Sequence, residues 1–316
     1  MERYGGLPEL PESGSSGPSL TKKEREEFEA RMTQIWEQRQ AELKEVQEQL
    51  LDVPEVLKER MRGIKEYLKN PLDHLETFSL KDEEEDEGVV THIISLLKDL
   101  EFQLTDVDNA RDFHTMGGWE LIVALLSEEV HVQNKTISKL SRNTEEKIRA
   151  VQSHSAWTIG TAVKNTGEFF PYAVEPVQIG PTKTTALDLL LDISCKEYKD
   201  EMSWPIRNLR GKAIYGLGAL LRGNRLAQAH LVQVDGASRL SDRLRQLSVG
   251  SADIKLVQRL LSLASDLITD IQLDGDESTA ELNNAVIKAF STPDWCQAVS
   301  NILISEELLP VRVQET

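Results

Sequence analysis

From Gly88 onward the chain repeats one pattern: a long helix of about five turns, a polar corner, a short helix, a break and a medium helix. VVTHIISLLKDLEFQL reads as the first long helix, DVDNARDFHT as its corner and short helix, Gly117-Gly118 as the break and WELIVALL as the next helix. EEKIRAVQSHSAWTIGTAVKNT, PIRNLRGKAIYGLGALLRGN and ADIKLVQRLLSLASDLITDI are the second, third and fourth long helices. In the second unit GEFFPYAVEPVQIGP is an irregular short piece before TTALDLLLDI, and in the third RLAQAHLVQVDG precedes ASRLSDRLRQL. The long helices start about 50–60 residues apart, slightly above the ~40–47 of HEAT or armadillo units. Such a unit cannot bury its apolar face alone, so neighbours stack. The pattern predicts an all-α, armadillo-like helical-repeat solenoid over residues 88–316.

The segment before the repeat divides in two. Residues 1–20 are rich in Gly, Pro and Ser and read as a disordered tail. Residues 21–87 read as charged helices followed by an acidic linker, KDEEEDEG. Thr21 and Glu24 fit a capping box. Phe28, Met32, Ile35, Trp36, Leu43, Val46 and Leu50 form one apolar stripe, and Pro54 interrupts the run. Autoinhibition, a dimer seam and a cap on the solenoid all fit an acidic amphipathic helix of this kind.

Charge and motifs narrow the function. The net charge of −17 repels phosphate backbones, which argues against a nucleic-acid partner. No apolar run reaches the roughly 20 residues of a membrane span. No basic-then-apolar leader is visible in the residues given. Cys195 and Cys296 form no metal pattern and read as two buried thiols, a long-range disulfide being the alternative. Asn134-Lys135-Thr136 is a glycosylation sequon, meaningful only in a secretory compartment.

The acidic corner at 106–118 invites a metal reading, which the spacing rejects. A calcium loop wants Gly at its sixth position and Glu at its twelfth. Starting from Asp106 these are Arg111 and Gly117; starting from Asp108 the twelfth is Trp119. A structural corner fits instead, built from Asp108, Asn109, Asp112, Gly117 and Gly118 with Asp106 as helix cap. YGLGALLRG lies inside a helical pattern, so it is no dinucleotide loop, and Gly216 and Gly218 read as packing glycines. P-loop, GxSxG and HExxH motifs do not occur, and the six histidines are scattered, so neither an enzyme nor a cofactor or metal is expected.

One charged feature stands out. Between Pro205 and Leu260 ten cations face three carboxylates, a net +7 inside an acidic chain. On the third long helix Lys212, Gly216, Ala219 and Arg222 share one side, where small residues would admit a partner and cations would steer an acidic one. Ordinary solvated helix charge explains the same residues.

The stretch DLEFQLTDVDNARDFHTMGGW strongly resembles the first armadillo repeat of the armadillo-type Hsp70 nucleotide-exchange factors, where a D-L-E helix precedes (V/I/M)-D-N-A-x-D-(L/F) and a Gly pair. AWTIGTAVKNT, LRGKAIYGLGALLRGN and KLVQRLLSLASDLI resemble its later long helices. DLEF, SDLIT and DWCQ look closest to the endoplasmic-reticulum branch serving the chaperone BiP, so a chain of that branch without a leader is a mature form or an incomplete start. The resemblance implies a non-enzymatic factor, without cofactor, that grips one lobe of the chaperone ATPase domain and loosens ADP. It also implies an endoplasmic-reticulum lumen location, with a cytosolic Hsp70 exchange factor as alternative. Placed on the long helices that line the gripping face, Trp157, Thr161, Asn165, Lys212, Tyr215, Arg222 and Arg259 are the expected contacts, and Asn109 holds the corner. An armadillo-type scaffold binding another protein without exchange activity is the competing reading.

Overall fold

The computed structural model describes Lys23, residues 31–36, 38–40, 53–77, 92–132, Ile137, and residues 140–164, 166–247, 253–273 and 277–304. The chain divides into two units, Met1–Asp52 and Val53–Thr316. In the first, residues 31–36 and 38–40 are helical, and Met32, Ile35 and Trp36 of the expected stripe are exposed. Phe28, Leu43, Val46, Leu50 and the acidic run 81–88 lie outside the described residues.

The second unit is a two-layered array of helices. In chain order these are α1 (Val53–Lys69), α2 (Pro71–Glu76), α3 (Ile93–Gln103), α4 (Val107–Thr115), α5 (Gly118–Ala124), α6 (Glu128–Val132), α7 (Arg142–Val163), α8 (Ala186–Cys195), α9 (Trp204–Leu221), α10 (Arg225–Gln233), α11 (Gly236–Leu247), α12 (Ile254–Leu273), α13 (Ala280–Phe290) and α14 (Pro293–Ile304). The four long helices of the sequence pattern are α3, α7, α9 and α12. Each packs against the next, and α1 packs on α3 at the start of the row. Behind them α5 supports α7, α8 supports α9, and α11 joins α8 to α12 and α14. Val53–Lys69 belongs to the same compact unit as the long helices, because Leu57, Met61, Ile64 and Tyr67 are buried in its continuous core.

The long helices run parallel, as their contacts show. Thr158 Oγ1 donates to the Leu97 carbonyl and Thr161 Oγ1 to Glu101, so α3 and α7 advance together. Asn208 donates to Ser153 Oγ, and Lys212 lies on Trp157 one turn later. Arg207 pairs with Asp253 and Arg222 with Asp266, which extends the same direction to α12. Close approach of α7 and α9 depends on glycine: a Cβ at Gly216 would stand 2.8 Å from the Ala156 carbonyl oxygen.

Helix starts follow local capping chemistry. Asp106 Oδ1 accepts from the Asp108 and Asn109 N–H groups, Ser141 Oγ from Thr144, Thr185 Oγ1 from Asp188, and Asn224 Oδ1 from Ala227. The Asn109 amide donates to the Gln103 carbonyl at 3.0 Å and ties α4 back to α3. Gly117 takes the left-handed conformation at φ 78°, and Phe113 lies against Gly118 where any Cβ would sit. Asp108 is exposed and pairs with Arg111, while Asp112 is exposed and contributes its carbonyl to the N–H of Met116.

The irregular piece of the second unit has order that its sequence hides. Gly167–Ala173 is a 3-10 turn, and β1 (Val177–Ile179) pairs antiparallel with β2 (Thr182–Thr184) around Gly180-Pro181. Val177 and Ile179 are buried and Gln178 is exposed, but three residues are too few for that alternation to show in sequence. Cys195 is half-buried and Cys296 exposed, and both are free thiols, so the expectation of two buried thiols is corrected at Cys296. Pro293 starts α14 and leaves Cys296 on its outer side, while Trp295 turns inward and donates to the Ala237 carbonyl.

Candidate partner-binding face

Three of the parallel long helices build one cavity of about 440 Å³. Its walls are Trp157 from α7, Lys212, Ile214 and Tyr215 from α9, Arg222 at the end of α9, and Lys255, Gln258, Arg259, Ser262 and Leu263 from α12. Five of the seven expected contacts thus converge on one site although the chain separates them by up to a hundred residues. Thr161 lies one turn beyond Trp157 and is occupied internally, its hydroxyl donating to Glu101 at 2.8 Å. Asn165 and the sequon residue Asn134 lie outside the described residues.

The side chains reach the cavity because of what lies beneath them. The Tyr215 ring crosses Gly160, and the Arg259 guanidinium lies on Gly211, each in space that a larger residue would fill. Lys212 Nζ stands 2.9 Å from the centre of the Trp157 ring, a cation held on a π face. Burial, then the nearby Arg259 charge, lower the Lys212 pKa to about 8, against the pull of Glu101. The half-buried ammonium is thus under like-charge stress.

The cationic excess read from the sequence shrinks in three dimensions, and what remains is located. Arg207 pairs with Asp253, Arg239 with Asp192, Arg245 with Asp242 and Arg222 with Asp266. Arg210 and Arg243 both reach Glu201. Arg225 is bonded to Gln228. Lys212, Lys255 and Arg259 have no ion pair among the described residues, and all three line the cavity. Among the described residues no carboxylate lines it; Glu101 is bonded to Thr161, and Asp266 to Arg222.

The helix face proposed from small residues is corrected. Gly216 and Ala219 are buried, and Gly216 serves the α7–α9 contact, so neither is available to a partner. Lys255, Gln258 and Ser262 were missed. Their spacing of three and four residues, shared with Arg259, is the signal of one polar stripe on α12.

Comparison with known proteins points the same way as the motifs. No protein-family model matches the chain. Over 222 residues it is 24% identical to Nucleotide exchange factor SIL1 of Xenopus laevis, an alignment covering 67% of this chain and 41% of that relative. The chain resembles a nucleotide exchange factor. It spans less than half the length of the curated relative it matches.

Proposed function

We propose that this chain is a nucleotide-exchange factor that binds the ATPase domain of a BiP-like, Hsp70-class chaperone and promotes ADP release in the endoplasmic-reticulum lumen. The observation that carries the reading is the cavity on α7, α9 and α12, where three uncompensated cations and two aromatic rings meet in a chain of net charge −17. A local positive face in an acidic protein selects for an acidic surface, orients its approach and repels cationic ones. Trp157 and Tyr215 supply the large, stiff contact area that dominates protein interfaces. The similarity to a nucleotide exchange factor supplies the consequence of that binding.

Exchange requires no bond to be made or broken by this chain. It requires that the cavity-bearing face hold the open, nucleotide-free ATPase domain more tightly than the closed, ADP-bound one. By linkage, ADP then weakens the factor's binding by the same ratio that the factor weakens ADP's. Lys212, Lys255 and Arg259 provide the binding energy, and the rigid parallel packing of α7 against α9 holds the face while the chaperone lobes move.

The test is release of fluorescent ADP from the ATPase domain of a BiP-type chaperone as this protein is added. The release rate should rise with concentration and saturate. Acceleration with a cytosolic Hsp70 alone would move the protein to the cytosol. Silence with both would refute exchange and leave a protein-binding scaffold.

A further inference from the structure

We propose that the cavity between α7, α9 and α12 is itself a small-molecule site, taking a diphosphate-bearing ligand on Lys212, Lys255 and Arg259. Charge compensation is the starting point. Elsewhere between Pro205 and Leu260 the structure gives its cations partners, down to the fully buried Arg210 on Glu201. Among the described residues of this stretch, three cations without a carboxylate gather at this cavity, with Arg222 as a fourth cation on the wall. Gathering like charges in a half-enclosed space is unfavourable without an anion to offset them.

The number and chemistry of the donors define the anion. Among the described residues the wall offers two ammonium groups, two guanidinium groups, the Ser262 hydroxyl and the Gln258 amide, and no carboxylate. A single carboxylate would compensate one cation and leave the others as they are. A diphosphate carries two to three negative charges and enough acceptor oxygens for all three unpaired cations. Phosphate also suits this mixture, since lysine meets it as a point charge and arginine as a bidentate fork. The volume of about 440 Å³ lies in the range of small-ligand sites and leaves room beyond the phosphates, against Ile214, Tyr215 and Leu263. The lowered Lys212 pKa agrees: an anion beside it would relieve the stress that Arg259 now imposes.

This inference stands on the cavity's charge and geometry and not on the exchange reading, although the ligand and an acidic partner would compete for the same cations. Isothermal titration of the full chain at low ionic strength tests it, with inorganic pyrophosphate, adenosine diphosphate and citrate as separate probes. Pyrophosphate should bind saturably at one site, and Lys255→Gln and Arg259→Gln should each weaken it by about tenfold, as losing a charge-assisted bond does. Both residues are exposed, so the variants should keep the parent thermal melt. Adenosine diphosphate binding more tightly than pyrophosphate would identify a nucleotide as the ligand; equal binding would identify the phosphates alone. Absence of saturation by pyrophosphate at millimolar concentration would overturn the proposal. So would binding unchanged in both variants, or citrate binding as well as pyrophosphate. ADP release from a chaperone is measured without pyrophosphate, so failure here leaves the exchange reading to its own test.

Discussion

Replacing Glu201 by Ala should be the most damaging single change in the loop between α8 and α9. One Glu201 oxygen accepts from Arg210 at 2.6 Å and from Arg243, while the other accepts the Tyr198 N–H at 2.6 Å. Arg210 is 0% exposed and Arg243 5%, so neither guanidinium can recover its hydration where it stands. Arg210 also donates to the Lys196 carbonyl at 2.7 Å and lies 5.2 Å from the centre of the Tyr198 ring, which leaves it no freedom to swing outward. Removing one partner of a buried ion pair costs about 3–5 kcal/mol, because the other charge stays buried and unpaired. At roughly 2–4 °C per kcal/mol for a unit of this size, the melting temperature should fall by on the order of 10 °C. Equilibrium urea unfolding followed by circular dichroism measures it. Glu201→Leu combined with Arg210→Met and Arg243→Met should recover most of the loss, since both buried charges then leave with their shared partner.

The pH dependence carries the same signature. Burial pushes the Glu201 carboxyl up, but the hydrogen bonds from Arg210 and Tyr198 and the charges of Arg210 and Arg243 outweigh it, and the net pKa is lowered. A lowered folded pKa means that the stabilisation is fully present above the ordinary carboxylate range and is lost as pH falls through the folded value. The Glu201→Ala penalty should therefore be largest near neutral pH and shrink in acid. A cost below about 1 kcal/mol at neutral pH, the size of an exposed pair, would refute the buried-charge argument.

Four other outcomes are expected. Lys212→Glu with Arg222→Glu should abolish binding to the chaperone ATPase domain in a pull-down while the far-ultraviolet circular dichroism spectrum stays helical and the melt falls by only a few degrees, the size of the lost exposed Arg222–Asp266 pair; retained binding would remove the cavity from the interface. Raising the pH from 7 toward 9 should weaken that binding in the parent, because Lys212, with a pKa lowered to about 8, loses its charge across this range, and a Lys212→Arg variant should show a flatter profile by surface plasmon resonance. Cys296 should react with a maleimide in the native protein, while Cys195, whose thiol burial pushes up to about 11, should react only on unfolding, as mass spectrometry of labelled samples will read. Gly216→Val should destabilise by roughly 1–3 kcal/mol or more in urea unfolding, since its side chain meets the Ala156 backbone, which cannot yield as a side-chain tip would.

Much of the helix layout was written locally. The Asp106 cap, the Gly117 turn and the apolar periodicity of Arg142–Val163 each involve residues a few positions apart, where one peptide's geometry limits its neighbours. The short hairpin at 177–184 escaped because three-residue strands carry no periodic signal, and its burial comes from α5, far earlier in the chain. The cation count misjudged the face for a related reason. Arg210, Arg239 and Arg243 look alike in sequence, yet their carboxylate partners lie at Glu201 and Asp192 on other elements. Sequence alone therefore determined an all-α array with four long helices and a cationic segment within an acidic chain. Only the tertiary structure decided which cations stay uncompensated. Ion pairing is set by distances of a few ångströms across packed helices, and the parallel stacking of α7, α9 and α12 brings Lys212, Lys255 and Arg259 to one cavity while carrying the other cations to their partners.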